Sequence, residues 1–245
     1  MEITLQKGDL TTVEAEAFVV FHFEQDDRLL ETTAAVNDAV GSIIGQVIEA
    51  GDFRGEHLEH LFLYGQGSLP TKRILLMGLG KREEFGAHTL REATAQSLRV
   101  LRDRRQPQAV LPIPFDSEFP LDLEDAAEAC VLGGMLGLYQ FTELRTRDLD
   151  NIKDFDSLII LSQKSSRKLT ASVDRAKTMA NGIYLARDLV TFPPNLATPT
   201  ILAERVGEVA EQVGVNFHLI DKGERSEDRR VGNGGSSRGW GGLGA

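Results

Sequence analysis

Short apolar runs alternate along the chain with longer stretches in which apolar residues recur every three or four positions. Residues 3–5, 15–23, 61–64, 73–79, 109–113 and 157–162 read as strands. Ala17-Phe18-Val19-Val20-Phe21 and Ile74-Leu75-Leu76-Met77 carry no polar residue, as suits inner strands buried on both faces. Residues 89–104 read as a helix. Leu90, Ala93, Leu98 and Leu101 mark its apolar side, and Arg102, Arg104 and Arg105 sit at its end, where cations meet the negative pole of the helix dipole. Residues 123–141 form a second helical pattern that opens with Glu124 and Asp125. Its apolar band runs through Ala126, Ala129, Cys130, Gly133, Met135, Leu136 and Leu138. Gly133, Gly134 and Gly137 are poor helix formers, so their presence predicts close packing against a sheet or another helix.

Strands alternating with helices of this length predict a three-layer α/β domain on a parallel or mixed sheet over residues 1–162. The polar run 163–168 reads as a linker. A helix follows over 169–190, and Phe192-Pro193-Pro194-Asn195 ends it, because proline lacks an amide donor and restricts the residue before it. Thr198 then suits an N-cap and Pro199 the first helical position. Residues 202–213 form the helix body, and Gly214 fits the left-handed position after it. Residues 215–220 read as a strand. The segment 225–245 is rich in glycine and serine and reads as disordered, since such chain buries too little apolar surface to offset its ordering entropy.

Composition narrows the function. The chain has 245 residues, 41% hydrophobic and 26% charged, with a net charge of −10. A negative field disfavours nucleic acid and anionic membrane as general partners. Cys130 is the single cysteine, which excludes an internal disulfide and a cysteine-based zinc cluster. No signal peptide or membrane-spanning run is visible, and a cytoplasmic location is expected.

Several residues invite a chemical reading. His57 and His60, three apart in Glu56-His57-Leu58-Glu59-His60, pinch a metal if this segment is helical, and are otherwise part of a polar loop. Met77-Gly78-Leu79-Gly80-Lys81 follows a strand. It could bring backbone amides to a phosphate, but Glu83 stands where a dinucleotide fingerprint needs its third glycine, so a tight turn is the better reading. Arg99, Arg102, Arg104 and Arg105 form the densest basic cluster, expected as a solvated helix end. Cys130 is expected as a buried thiol. No Gly-x-Ser-x-Gly or His-Glu-x-x-His motif occurs.

The second half carries a more specific pattern. Gly182-Ile183-Tyr184-Leu185-Ala186-Arg187-Asp188-Leu189-Val190 runs into Pro193-Pro194-Asn195, then Thr198-Pro199 and Leu202-Ala203. This resembles the segment leading into the catalytic domain of the leucyl aminopeptidases, the cytosol aminopeptidase family (peptidase family M17). The Gly78-Leu79-Gly80 turn and Leu138-Tyr139-x-Phe141 agree with it more diffusely. Thr191-Phe192 departs from the asparagine many members carry there.

The resemblance implies a macro-domain-like N-terminal domain with a mixed sheet, followed by the incomplete start of an α/β zinc-exopeptidase-like catalytic domain over 169–224. It implies a metalloprotease that hydrolyses N-terminal residues from peptides with two divalent metals, manganese or zinc, and that assembles as a homo-hexamer. The family's Gly-Lys-Gly-x-Thr-Phe-Asp-x-Gly-Gly and Asn-Thr-Asp-Ala-Glu-Gly-Arg motifs do not occur in this chain, and Asp221-Lys222-Gly223 is only a superficial echo of the first. No catalytic, cofactor-binding or metal-ligating residue is therefore assigned. The chain is expected to be inactive, a truncated or frame-shifted product. The alternative expectations are a nucleotide-binding module around residues 78–81 and an oligomer-interaction module.

Overall fold

A computed structural model of the chain describes residues 1–10, 13–65, 69–71, 73–113, 119–147 and 152–220. Six strands form one sheet: β1 (Glu2–Lys7), β2 (Ala17–His22), β3 (His60–Tyr64), β4 (Arg73–Gly78), β5 (Gln108–Pro112) and β6 (Ser157–Ser162). Their order is β1-β6-β5-β2-β4-β3. All neighbouring pairs are parallel except β3 with β4, so the sheet is mixed with one antiparallel edge. Each expected strand within the first 162 residues is present. The six helices are α1 (Glu31–Ala39), α2 (Ile43–Glu49), α3 (Ala87–Asp103), α4 (Leu123–Leu138), α5 (Arg167–Thr191) and α6 (Pro199–Val213).

The apolar runs are inner strands for the reason their pattern suggested. Every residue of β2 is buried. Successive side chains point to opposite faces, so Val19, Phe21, Leu75, Met77, Leu111, Leu158 and Ile160 feed one core and Phe18, Val20, Ile74, Leu76 and Val110 the other. Leu90, Leu98, Ala126, Leu169 and Val173, from α3, α4 and α5, close the first core. Val36 of α1 and Ile44 of α2 close the second. The result is three layers, helices on both faces of a mostly parallel sheet.

The glycines of α4 are there for close approach. A Cβ at Gly133 would fall on the Arg91 carbonyl oxygen, and one at Gly137 would lie 2.6 Å from the Ala95 Cα. Both neighbours are backbone atoms of α3, so the two helices pack without intervening side chains. A Cβ at Gly134 would meet Leu98 and Leu158 at 3.0 and 3.2 Å.

Two expectations change. The first compact unit runs Met1–Asp188, beyond the expected limit at Ser162. Leu169, Val173, Ala176 and Ala180 of α5 are buried, and the first core continues across the polar 163–168 segment to include them. Residues 215–220 do not form a strand: they are irregular and exposed. Their alternation is real, but no strand pairs with them among the described residues, and an unpaired strand leaves its backbone donors and acceptors to water. Helices α1 and α2 fall outside the elements expected. The segment 225–245 lies outside the described residues, as does Asp221-Lys222-Gly223.

The second unit, Leu189–Ala245, is described only to residue 220 and holds α6. This helix begins and ends as its sequence dictates. The Thr198 Oγ1 accepts the Ile201 amide at 3.3 Å, Pro199 opens the helix, and Gly214 closes it at φ 72°. It buries no residue.

Candidate functional site

The turn after β4 is built by close backbone approach. A Cβ at Gly78 would strike the Glu56 carbonyl, and Gly80 sits at φ 73°, conformations and contacts that only glycine accepts easily. The amides a phosphate would need are already occupied. Gly78 N donates to Glu59 O at 2.8 Å, Leu79 N to His22 O at 2.9 Å, and Gly80 N to Gly55 O at 2.9 Å. The tight-turn reading therefore holds, and this turn offers no cradle for a nucleotide phosphate.

The same loop separates the two imidazoles. Leu58 adopts φ 62°, so residues 56–60 are not helical and the three-residue spacing does not bring the rings together. His57 Nε2 lies 3.2 Å from Glu92 Oε2, whose other carboxylate oxygen meets His88 Nε2 at 3.3 Å. His60 Nδ1 faces the Leu58 carbonyl at 3.4 Å. Two divalent ions need several converging hard donors. Among the described residues no three His, Cys, Asp or Glu side chains are arranged to hold one ion, so these residues do not fit a two-metal centre.

The arginines at the end of α3 disperse. Arg99 donates to Gln96 at 3.0 Å, Arg102 pairs with Asp103 at 3.1 Å, and Arg104 stacks 4.8 Å from the Phe62 ring centroid. No single basic face results. Cys130 is buried, and burial pushes its thiol up to about 12, leaving an inert core residue.

The segment with the most specific pattern has a structural role in the first unit. Its residues Tyr184, Arg187 and Asp188 lie on α5 and face the end of α4. Tyr139 Oη donates to Asp188 Oδ1 at 2.6 Å, and the two tyrosine rings lie 5.1 Å apart. Tyr184 Oη donates to the Met135 carbonyl, and Arg187 Nη1 to the Leu136 carbonyl at 3.3 Å. These bonds satisfy carbonyls at the C-terminus of α4, which a helix leaves without intrahelical partners. Burial, with the nearby Arg187 charge working against it, pushes the Tyr184 hydroxyl up to about 12, so it remains a donor. Met135, Tyr139, Asn181, Tyr184 and Asp188 also line a cavity of about 470 Å³.

Sequence reasoning left out one residue of interest. His22 ends β2, is 2% exposed, and its Nδ1 has no hydrogen-bond partner. An unsatisfied buried polar atom costs about 1–3 kcal/mol. Burial lowers the pKa of the ring; Asp26 opposes this and Arg82 adds to it, so the imidazole is neutral at pH 7. Asp26 itself pairs with Arg82 at 2.5 Å. Burial raises its pKa, but the Arg82 hydrogen bond, the Arg28 amide and the nearby positive charge outweigh this and hold the carboxyl below its ordinary range. A polar residue at the end of an otherwise apolar inner strand was the available signal.

These features define a three-layer α/β unit with a mixed sheet, whose last long helix is fastened to its neighbour by a tyrosine–aspartate bond. Residues 19–148 match the N-terminal domain of the cytosol aminopeptidase family. A probable cytosol aminopeptidase of Geobacter sp. (strain M21) is 30% identical over 210 residues, covering 85% of this chain and 41% of that protein. One from Syntrophobacter fumaroxidans is 30% identical over 233 residues, covering 95% and 46%. Among solved structures, a tomato leucine aminopeptidase variant matches with a TM-score of 0.76 at 16% identity, covering 94% of this chain and 46% of that one. The bottromycin maturation enzyme BotP matches with a TM-score of 0.66 at 20% identity, covering 87% and 41%. At these identities the structural matches speak for the fold. The chain belongs to the cytosol aminopeptidase family, as an N-terminal fragment of it, and spans less than half the length of these curated relatives.

Proposed function

We propose that this chain is a non-catalytic portion of a two-metal leucyl aminopeptidase of the cytoplasm, whose peptide hydrolysis is carried by residues outside it. Residues 1–188 supply a folded support. Residues 189–220 belong to the start of the catalytic domain and present an apolar face for its remainder to cover. The observation that carries this reading is the state of α6. It is capped at both ends yet buries nothing, and Leu202, Val206 and Val213 lie exposed along it. Val215, Phe217, Leu219 and Ile220 are exposed after it. Burying a side chain of this size is worth about 1.5–3 kcal/mol, so a surface patterned in this way is built for a partner.

The metals belong with the residues that complete that domain, and this chain supplies no ligand to them. The test is hydrolysis of a leucine chromogenic substrate by the purified chain with added manganese or zinc. The expected rate equals that of the metal-only blank, and turnover above it overturns the proposal.

A further inference from the structure

The sheet ends on β1, and β1 is bonded on one side only. Its neighbour is β6, in a parallel ladder, and among the described residues no strand lies on its other side. Successive residues of a strand send their backbone groups to opposite sides. The Glu2 amide donates to the Asp156 carbonyl at 2.8 Å and the Gly8 amide to the Ser162 carbonyl at 3.3 Å, so the even positions face β6. The N–H and C=O groups of Ile3, Leu5 and Lys7 therefore point to the open edge. A row of this kind is a template for one more strand.

A cavity of about 360 Å³ lies between β1 and α5. One wall is the strand face that carries Ile3, Leu5 and Lys7. The other is a single stripe of the helix, Thr170, Val173, Asp174 and Lys177, spaced i, i+3, i+4 and i+7. Lys164 and Ser165, from the segment between β6 and α5, complete the lining. Ile3 and Val173 are buried and Leu5 is half-buried, which gives the cavity an apolar part.

Charge selects the partner. Lys7, Lys164 and Lys177 reach this cavity from three segments, and Asp174 is the single carboxylate in its lining. Among the described residues no ion pair or hydrogen bond holds any of the three ammonium groups. In a chain of net charge −10, these lysines form a local positive site that attracts an anion. A phosphate ion would meet the lysines and leave the backbone row of β1 to water. An extended acidic peptide meets both. Its main chain continues the sheet, and the side chains on one of its faces point into the cavity.

We propose that the edge of β1 binds an acidic peptide segment as a seventh strand, its carboxylates meeting Lys7, Lys164 and Lys177 and an apolar side chain meeting Ile3 and Val173. The site needs no catalytic group. Its failure leaves the aminopeptidase reading standing.

The experiment is a titration of the full 245-residue chain with a fluorescent peptide of sequence Asp-Thr-Val-Thr-Glu-Thr, capped at both ends. This places acid, valine and acid on one face in either strand direction. Its neutral counterpart, Asn-Thr-Val-Thr-Gln-Thr, is the control. Fluorescence anisotropy gives the affinities, and amide hydrogen exchange by NMR reports on the backbone. The acidic peptide is expected to bind saturably, at least about 10-fold more tightly than the neutral one. Bound peptide is expected to slow exchange at the amides of Ile3, Leu5 and Lys7 and to leave those of Glu2, Thr4 and Gln6 unchanged. The double variant Lys7→Gln with Lys177→Gln, at two positions that are not buried, is expected to weaken binding by about 10-fold. An absence of saturable binding at millimolar peptide overturns the proposal. So does equal binding of the neutral peptide, an affinity unchanged in the double variant, or binding that leaves exchange at Ile3, Leu5 and Lys7 unaltered.

Discussion

The two units of the chain obey the same local rules and end in opposite states. In Met1–Asp188 every inner strand feeds two cores, and Phe18, Val19, Leu75 and Leu76 are wholly enclosed. In the second unit α6 is the better-formed helix by its ends, with a threonine cap, a first-turn proline and a left-handed glycine after it. None of its residues is buried. Val190 on the preceding helix is 85% exposed and Val213 65%. Capping fixes where a helix starts and stops, contributing about 1 kcal/mol, whereas burial depends on what the rest of the chain places against it. An apolar stripe is thus a statement about a partner and does not by itself show that the partner is present.

The sharpest way to break this contrast is to truncate the same side chain in both units. Leu76→Ala, in β4 and wholly buried, should destabilise by about 2–5 kcal/mol. Leu202→Ala on α6, 46% exposed, should change stability by less than about 0.5 kcal/mol. Urea unfolding of both variants checks this, and equal losses would mean that α6 is buried in solution. A smaller effect tests the helix contact in the first unit. Gly133→Val places a side chain on the backbone of α3 and should cost about 1–3 kcal/mol, while Gly182→Val, with open space around it, should not show such a loss in the same melts.

The smallest effect is electrostatic. The His22 pKa is lower in the folded chain than its ordinary value of 6.5. Between those two values the unfolded chain binds a proton that the folded chain does not, so stability falls as pH drops below 6.5. For one group the slope is at most about 1.4 kcal/mol per pH unit. Denaturation at pH 7.5 and 5.5 should show that slope, and His22→Gln should flatten it.

Much of the fold was legible because the strands are short, apolar and well separated. The glycines of α4 pointed correctly to a close helix contact, and the ends of α6 could be placed to the residue. The misses have separate causes. Helix α1 buries polar residues: Thr33 Oγ1 donates to the Phe21 carbonyl at 2.6 Å, and Asn37 Oδ1 accepts the amide of Gly45 on α2 at 3.0 Å. A pattern of hydrophobic positions does not register a face satisfied by hydrogen bonds. The run 215–220 has strand alternation but no strand beside it. The site was less legible still. Two histidines three residues apart suggest convergence only if the backbone between them is helical, and a left-handed Leu58 prevents that. His22 looked like one histidine among five until the structure enclosed it.

The sequence alone determined the alternation of strands and helices, the family to which the pattern around residues 182–199 points, and the ends of α6. These depend on hydrogen bonds and contacts between residues at most a few positions apart, which are written locally. Only the tertiary structure decided that α5 as far as Asp188 joins the first unit, that the amides after β4 are already occupied, and that the His22 Nδ1 is enclosed without a hydrogen-bond partner. Each of those outcomes depends on which distant residue arrives at a given atom, and that is set by the packing of the whole unit.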